Sequence, residues 1–155
     1  MSRAFIKEDA GDSDDLPERH QSASPNYVTR EGLEALRRRE QGLRELLSRL
    51  PRESVEAREA ARDLRYYAGR VASAILVETP ADAGREARFG AWIEMRRGDG
   101  RVRRVRVVGQ DEAEGSPDDK IAWDSSLAMA LIGARPGDRV ETEEGLVVVE
   151  DVRYA

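Results

Sequence analysis

The sequence predicts an α+β protein: an N-terminal antiparallel helical hairpin with coiled-coil spacing, then a small antiparallel β domain carrying one short helix. Three observations predict it. Apolar residues recur at three- and four-residue intervals up to Pro51, and the same rhythm resumes after it. Near Phe89 the period drops to two. From there glycine-containing turns separate short β-branched runs. The expected divisions are an acidic disordered leader over 1–26, the hairpin over 27–79, a linker over 80–85 and the C-terminal domain over 86–155.

Residues 7–26 are polar, acidic and interrupted by Pro17 and Pro25, so they offer too little apolar surface to offset the entropy of ordering them. Phe5 and Ile6 form a small apolar island ahead of that stretch, either part of an unstructured leader or a docking peptide. Thr29 is a good N-cap, and Glu31 in the first turn suits the helix dipole. Leu33, Leu36, Leu43, Leu47 and Leu50 then form a stripe interrupted by Glu40. Pro51 cannot continue a helix interior and ends the first arm, with Arg52-Glu53-Ser54 as the turn. The second arm begins near Ser54 and repeats the rhythm at Ala57, Ala60, Leu64, Tyr67, Val71 and Ala74. Each arm of about 20 residues would reach roughly 30 Å.

Beyond the linker, Phe89, Ala91, Ile93 and Met95 alternate with Gly90, Trp92, Glu94 and Arg96. Gly98-Asp99-Gly100 supplies a hairpin turn, and Val102, Val105, Val107 and Val108 lie among arginines on the return strand. A short strand over 121–123, a helix over 126–132 ended by Gly133, and strands over 139–142 and 146–152 complete the domain. Arg101, Arg103, Arg104 and Arg106 crowd the hairpin, either as a solvated edge that discourages strand pairing or as a contact patch. Trp92 and Trp123 are expected to pack in the core.

Composition narrows the chemistry. With no Cys and only His20, the chain offers no thiol nucleophile, zinc knuckle or multi-histidine site. No apolar run approaches the length of a membrane span, and the chain is expected to be cytoplasmic. Residues 111–155 hold 12 acidic and 4 basic groups, whereas residues 80–110 hold 4 and 8. Such an acidic end repels phosphates, so a protein partner of mixed charge fits better than nucleic acid.

Three stretches together resemble the Gre family of bacterial transcript-cleavage factors, closest to its GreB branch. Val28-Thr29-Arg30-Glu31-Gly32 is similar to the opening of the family's hairpin. Phe89-Gly90-Ala91-Trp92-Ile93-Glu94 with Val105-Arg106-Val107-Val108-Gly109-Gln110-Asp111-Glu112 resembles its β-hairpin, and the segment from Ile121 to Asp138 its I-x-x-x-S-P-x-x-x-A-L-L…G-D signature. The resemblance implies an FK506-binding-protein-like C-terminal domain docked on the rim of RNA polymerase's secondary channel. It further implies a coiled coil threaded into that channel, with tip carboxylates that assist hydrolysis of backtracked RNA at the polymerase's magnesium. Nascent RNA or DNA near the channel would be a further partner, no membrane would be involved, and a monomer is expected.

Two departures qualify that inheritance. The hairpin is shorter than the family's by on the order of twenty residues, which retracts the tip by roughly 15 Å. A magnesium ligand must sit about 2.0–2.1 Å from the ion. The family's Gly-Asp-x-x-x-Glu-Asn tip pattern is also absent; here the turn holds Glu53 and Glu56, either metal-directed or ordinary dipole matching at a helix start. By analogy, the nucleoside-diphosphate-kinase regulator branch combines a shortened coil with no cleavage activity. In the docking loop Ser126 stands where the family has Pro, so the resemblance assigns polymerase docking to Asp124, Ser125, Ser126 and Leu127, with Ser126 alternatively the N-cap of the short helix.

The expectation is thus a secondary-channel regulator that does not cleave efficiently. It would be no enzyme itself and at most a cofactor of the polymerase's cleavage, with no catalytic residue, metal site or cofactor of its own. The alternatives are an active cleavage factor working through Glu53 and Glu56, or a protein like the nucleoside-diphosphate-kinase regulators.

Overall fold

The structure is a computed structural model and describes residues 16–116 and 118–154. The first fifteen residues, with the Phe5–Ile6 island and most of the acidic leader, lie outside the described residues. Two long helices and a curled five-stranded sheet make up the fold, and no described helix is long and apolar enough to cross a membrane.

Strand β1 (Tyr27–Val28) leads into helix α1 (Arg30–Arg49), helix α2 (Val55–Ser73) returns, and strand β2 (Ile75–Leu76) follows at once. The two strands pair in parallel, Tyr27 beside Ile75 and Val28 beside Leu76, so the helical excursion starts and ends at one place. The cap residues do what their chemistry dictates. Thr29 Oγ1 accepts from the Gly32 amide at 2.9 Å, and Ser54 Oγ accepts from the Ala57 amide at 3.1 Å. Leu50 is extended, as expected of a residue before proline, and the Pro51 carbonyl accepts from the Ser54 amide at 3.1 Å to close the turn. Where α1 and α2 pack together, Leu36, Leu43, Ala57 and Ala60 are buried. Glu40, which interrupts the leucine stripe, has its side chain only 14 % exposed and accepts from Arg44 one turn on at 2.5 Å.

The sheet contains β3 (Trp92–Arg97), β4 (Val102–Val108), β5 (Lys120–Ala122), β6 (Arg139–Thr142) and β7 (Gly145–Arg153), in the order β5-β4-β3-β7-β6. Helix α3 (Gln110–Glu114) lies between β4 and β5, and helix α4 (Ser126–Leu131) between β5 and β6. An all-antiparallel sheet with one helix is not what forms: β4 and β5 are parallel. A parallel neighbour requires the chain to cross back before pairing, and residues 109–119 make that crossing with α3 inside it. The period-two reading holds along β3 and β4, where Ile93, Met95, Val105 and Val107 are fully buried. A register shift opposite Glu94 and Met95 lets Val147, Val149 and Val152 of β7 all face inward. These side chains close on Ala128, Leu131 and Ala134 from α4 and its exit.

Trp92 does not join the core. Its ring lies half-buried on the opposite face of the sheet, with the Arg104 guanidinium 4.4 Å from the ring centroid. Trp123 does pack against the core, and it meets Tyr27 edge-to-face at 5.0 Å.

Residues 16–26, expected to be disordered, run along α2. The Arg19 guanidinium lies 4.0 Å over the Tyr66 ring and 3.6 Å from Asp63, and Asn26 is buried with its amide donating to the Arg70 carbonyl at 2.8 Å. The contacts of this stretch are polar and cation–π contacts with another element, which its own composition does not reveal.

Candidate functional site

Candidate residues lie in three regions: the turn between the long helices, the loop before α4, and the junction between the two layers. At the turn Glu53 and Glu56 are exposed, with Glu56 in the first turn of α2. Among the described residues no group of three or more His, Asp or Glu side chains is placed to hold a metal ion. Val55, beside them, is also exposed. With 20 residues in α1, the turn stands about 30 Å from the β1–β2 base.

In the loop before α4 the expected residues divide by role. Asp124 Oδ2 accepts from Gln110 Nε2 at 2.6 Å, so its carboxylate is tethered to α3. Ser125, not Ser126, is the N-cap: its Oγ accepts from the Ala128 amide at 3.2 Å and donates to the Ala122 carbonyl at 2.6 Å. Ser126 is the first helical residue and is exposed, because the chain turns into α4 one position earlier than the cap reading placed it. Leu127 is half-buried against the core. Sequence reasoning missed Met129 and Ile132, which are 66 % and 43 % exposed. Their signal was available: Ser126, Met129 and Ile132 are spaced by three, a face distinct from that of Ala128 and Leu131.

The junction holds a buried polar network. Arg70, 2 % exposed, donates from Nε to Asp111 Oδ2 at 2.7 Å, from a terminal nitrogen to Asn26 Oδ1 at 2.8 Å, and to Gln110 Oε1 at 3.2 Å. Tyr66 donates its hydroxyl to Asp111 Oδ1 at 2.5 Å. Burial first, and then the Asp111 carboxylate beside it, push the Tyr66 phenol above its ordinary value. One residue along α3, Glu112 Oε2 accepts from the Thr29 hydroxyl at 2.7 Å, while Lys120 Nζ lies 3.4 Å from its other oxygen. Gln110, Asp111 and Glu112 thus all engage the helical layer or the segment packed on it. The polar run Gly109-Gln110-Asp111-Glu112 was legible as a motif but not as a clamp, because nothing in sequence spacing says that Arg70 is buried opposite it.

The arginines of the β3–β4 hairpin are mostly paired within the fold. Arg103 lies 2.7 Å from Glu144, which also binds Arg97, and Arg96 lies 2.6 Å from Glu150. The Arg97 and Arg103 guanidiniums hold Glu144 below the usual carboxylate range, Arg97 contributing most. Arg103 and Arg104 extend past the three-residue β5, which leaves that length of β4 a charged sheet edge.

Residues 82–152 match the family model for the GreA/GreB transcription elongation factor C-terminal domain. The chain is similar to GreB of Neisseria meningitidis serogroup A (strain Z2491), 40% identical over 96 residues that cover 60% of this chain and 58% of that protein. It is also similar to GreB of Pseudomonas putida (strain KT2440), 34% identical over 101 residues covering 63% and 62%. The match to these curated relatives spans about three-fifths of their length. Among solved structures, GreA/GreB from Nitrosomonas europaea aligns over 83% of this chain and 98% of that one, with 18% identity and a TM-score of 0.43. Gfh1, a GreA factor homologue of Thermus thermophilus, covers 84% and 99% with 21% identity and a TM-score of 0.40.

Proposed function

We propose that the chain is a Gre-family transcription elongation factor, on the match of residues 82–152 to that family's C-terminal domain and the likeness to GreB proteins, and that it binds bacterial RNA polymerase at the secondary channel without supplying the carboxylates for efficient transcript cleavage. In this reading the C-terminal domain is FK506-binding-protein-like and docks on the channel rim, and the two long helices form the hairpin that enters the channel. The loop at Asp124–Leu127 and the exposed side of α4 make the contact. Asp124, held on Oδ2 by Gln110, presents its other oxygen to a basic group, and Met129 and Ile132 supply the apolar area. The protein acts in the cytoplasm as a monomer, with RNA or DNA near the channel as a secondary contact, and has no enzymatic activity of its own.

The observation that carries the non-cleaving reading is the turn itself. Its acids are Glu53 and Glu56, not the family's Gly-Asp-x-x-x-Glu-Asn pattern, and they stand at the end of a helical pair about 30 Å long. A metal ligand cannot make good a shortfall of a helical turn or more by side-chain flexibility. The test pairs two assays on arrested elongation complexes. Core polymerase is expected to retain the protein, and Asp124→Arg or Met129→Glu to weaken that retention. Saturating protein is expected to release no short 3′ RNA fragments. Cleavage that disappears in Glu53→Gln/Glu56→Gln would overturn the non-cleaving reading in favour of a true cleavage factor. Failure to bind polymerase at all would remove the docking reading and favour a partner outside transcription, as for a protein like the nucleoside-diphosphate-kinase regulators.

A further inference from the structure

Residues 16–26 run along α2 from the turn side toward its base in a regular order of contacts. Asn26 holds the Arg70 carbonyl at 2.8 Å and Ser73 Oγ at 3.2 Å; Arg19 covers Tyr66 and reaches Asp63; Glu18 accepts from Arg65 Nε at 2.9 Å; Leu16 lines a cleft with Arg58 and Ala61. The same segment also reaches the other layer, since Ser22 Oγ accepts from Gln110 Nε2 at 3.1 Å. The Gln110 amide is therefore engaged on three sides, by Ser22, Asp124 and Arg70.

The α2 surface is shaped for this segment. Gly69 lies inside a 19-residue helix, where glycine is a poorer helix former than alanine. A Cβ at that position would stand 2.5 Å from Gln21 Nε2 and 3.1 Å from Gln21 Oε1. The helix gives up propensity where the Gln21 side chain lies across it.

We propose that the face of α2 bearing Asp63, Tyr66 and Gly69 is a docking site whose occupant is the chain's own residues 16–26, and that the docked segment is a latch fixing the angle between the helical pair and the sheet. Because Ser22 shares Gln110 with Asp124, the latch also steadies the loop before α4. The latch needs no polymerase, and the free protein alone can test it.

The chain has no cysteine, so spin labels go only where they are introduced: Ser48→Cys near the far end of α1 and Glu143→Cys in the β6–β7 turn. Gly69→Leu fills the seat of Gln21 with a residue that favours helix. The whole chain with and without this change is treated with trypsin, and the cut after Arg19 is compared with the cut after exposed Arg52. The Arg19 cut is expected to accelerate on the order of tenfold, the change in open population that ~1.4 kcal/mol of lost contacts produces. The Arg52 cut should not change, and the label-to-label distance distribution should broaden. Arg19→Ala, read by the labels alone, should broaden it as well, and circular dichroism at the wild-type value shows that the helices persist in each variant. An unchanged Arg19 cut overturns the docking site. A faster cut with an unchanged distance distribution overturns the latch, leaving the segment a mere cover.

Discussion

Removing either partner of the Arg70–Asp111 pair leaves the other's charge buried, and that is where single substitutions should do most harm. Asp111→Ala or Arg70→Ala is expected to cost about 3–5 kcal/mol, read as a fall in the urea midpoint. Tyr66→Phe removes one hydrogen bond to Asp111 and is expected to cost about 1–2 kcal/mol. The same substitution has a signature in alkali. The folded protein raises the Tyr66 pKa above the unfolded value of about 10, so this contribution is complete below that pH. As pH rises past about 10 the unfolded chain loses its proton first and stability declines. A Tm series from pH 9 to 12 should fall less steeply for Tyr66→Phe than for the wild type; equal slopes would mean that Tyr66 is not the titrating group. None of this node was legible in the sequence. An arginine spaced four residues from a tyrosine reads as a solvated helix face, and only the placement of α3 opposite it decides otherwise.

Among the elements, the long helices were legible at their ends because their boundaries rest on local chemistry. Thr29 and Ser54 cap them and Pro51 separates them, each through bonds or dihedrals within a few residues. Ser54→Ala should accordingly destabilise by about 1 kcal/mol in thermal unfolding. Glu40 is the misfit in the leucine stripe of α1. Replacing it with Leu adds apolar burial and forfeits an i,i+4 pair worth roughly 0.3–0.5 kcal/mol. A net rise in Tm is the expected outcome, and a fall would place the Glu40 side chain in a role other than seam filler. The strands were legible where alternation is local, as along Ile93 and Met95. The parallel pairing of β5 was not, since register across a crossing depends on the path of residues 109–119 and not on their pattern. The loop before α4 was half legible: its position followed from the family signature that Ile121 to Asp138 resembles, but its cap lies at Ser125 and its exposed apolar pair at Met129 and Ile132.

At the scale of the molecule, acid and base side chains are distributed so that many carboxylates are held in charged form by arginines. Glu18 beside Arg65, Glu144 beside Arg97, Glu150 beside Arg96 and Asp151 beside Arg85 all lie below their ordinary pKa. A depressed carboxylate stabilises the fold above the unfolded value of about 4, and that contribution disappears as pH falls through the folded value. Unfolding temperature should therefore hold between pH 6 and 5 and drop below about pH 4. High salt should weaken the trend, because these pairs are at the surface. A flat profile down to pH 3 would show that the pairs contribute nothing net. Overall charge, −5, announced the acidity of the protein but not this mutual holding, which brings together residues as far apart in sequence as Arg85 and Asp151.

The tiny β1–β2 pairing has one more consequence. Departure and return share a single address on the platform, so the outbound and inbound helices can be trimmed or lengthened by matched whole turns while the sheet beneath keeps every neighbour. Reach is thereby an independent dial for natural selection, adjustable without renegotiating the base.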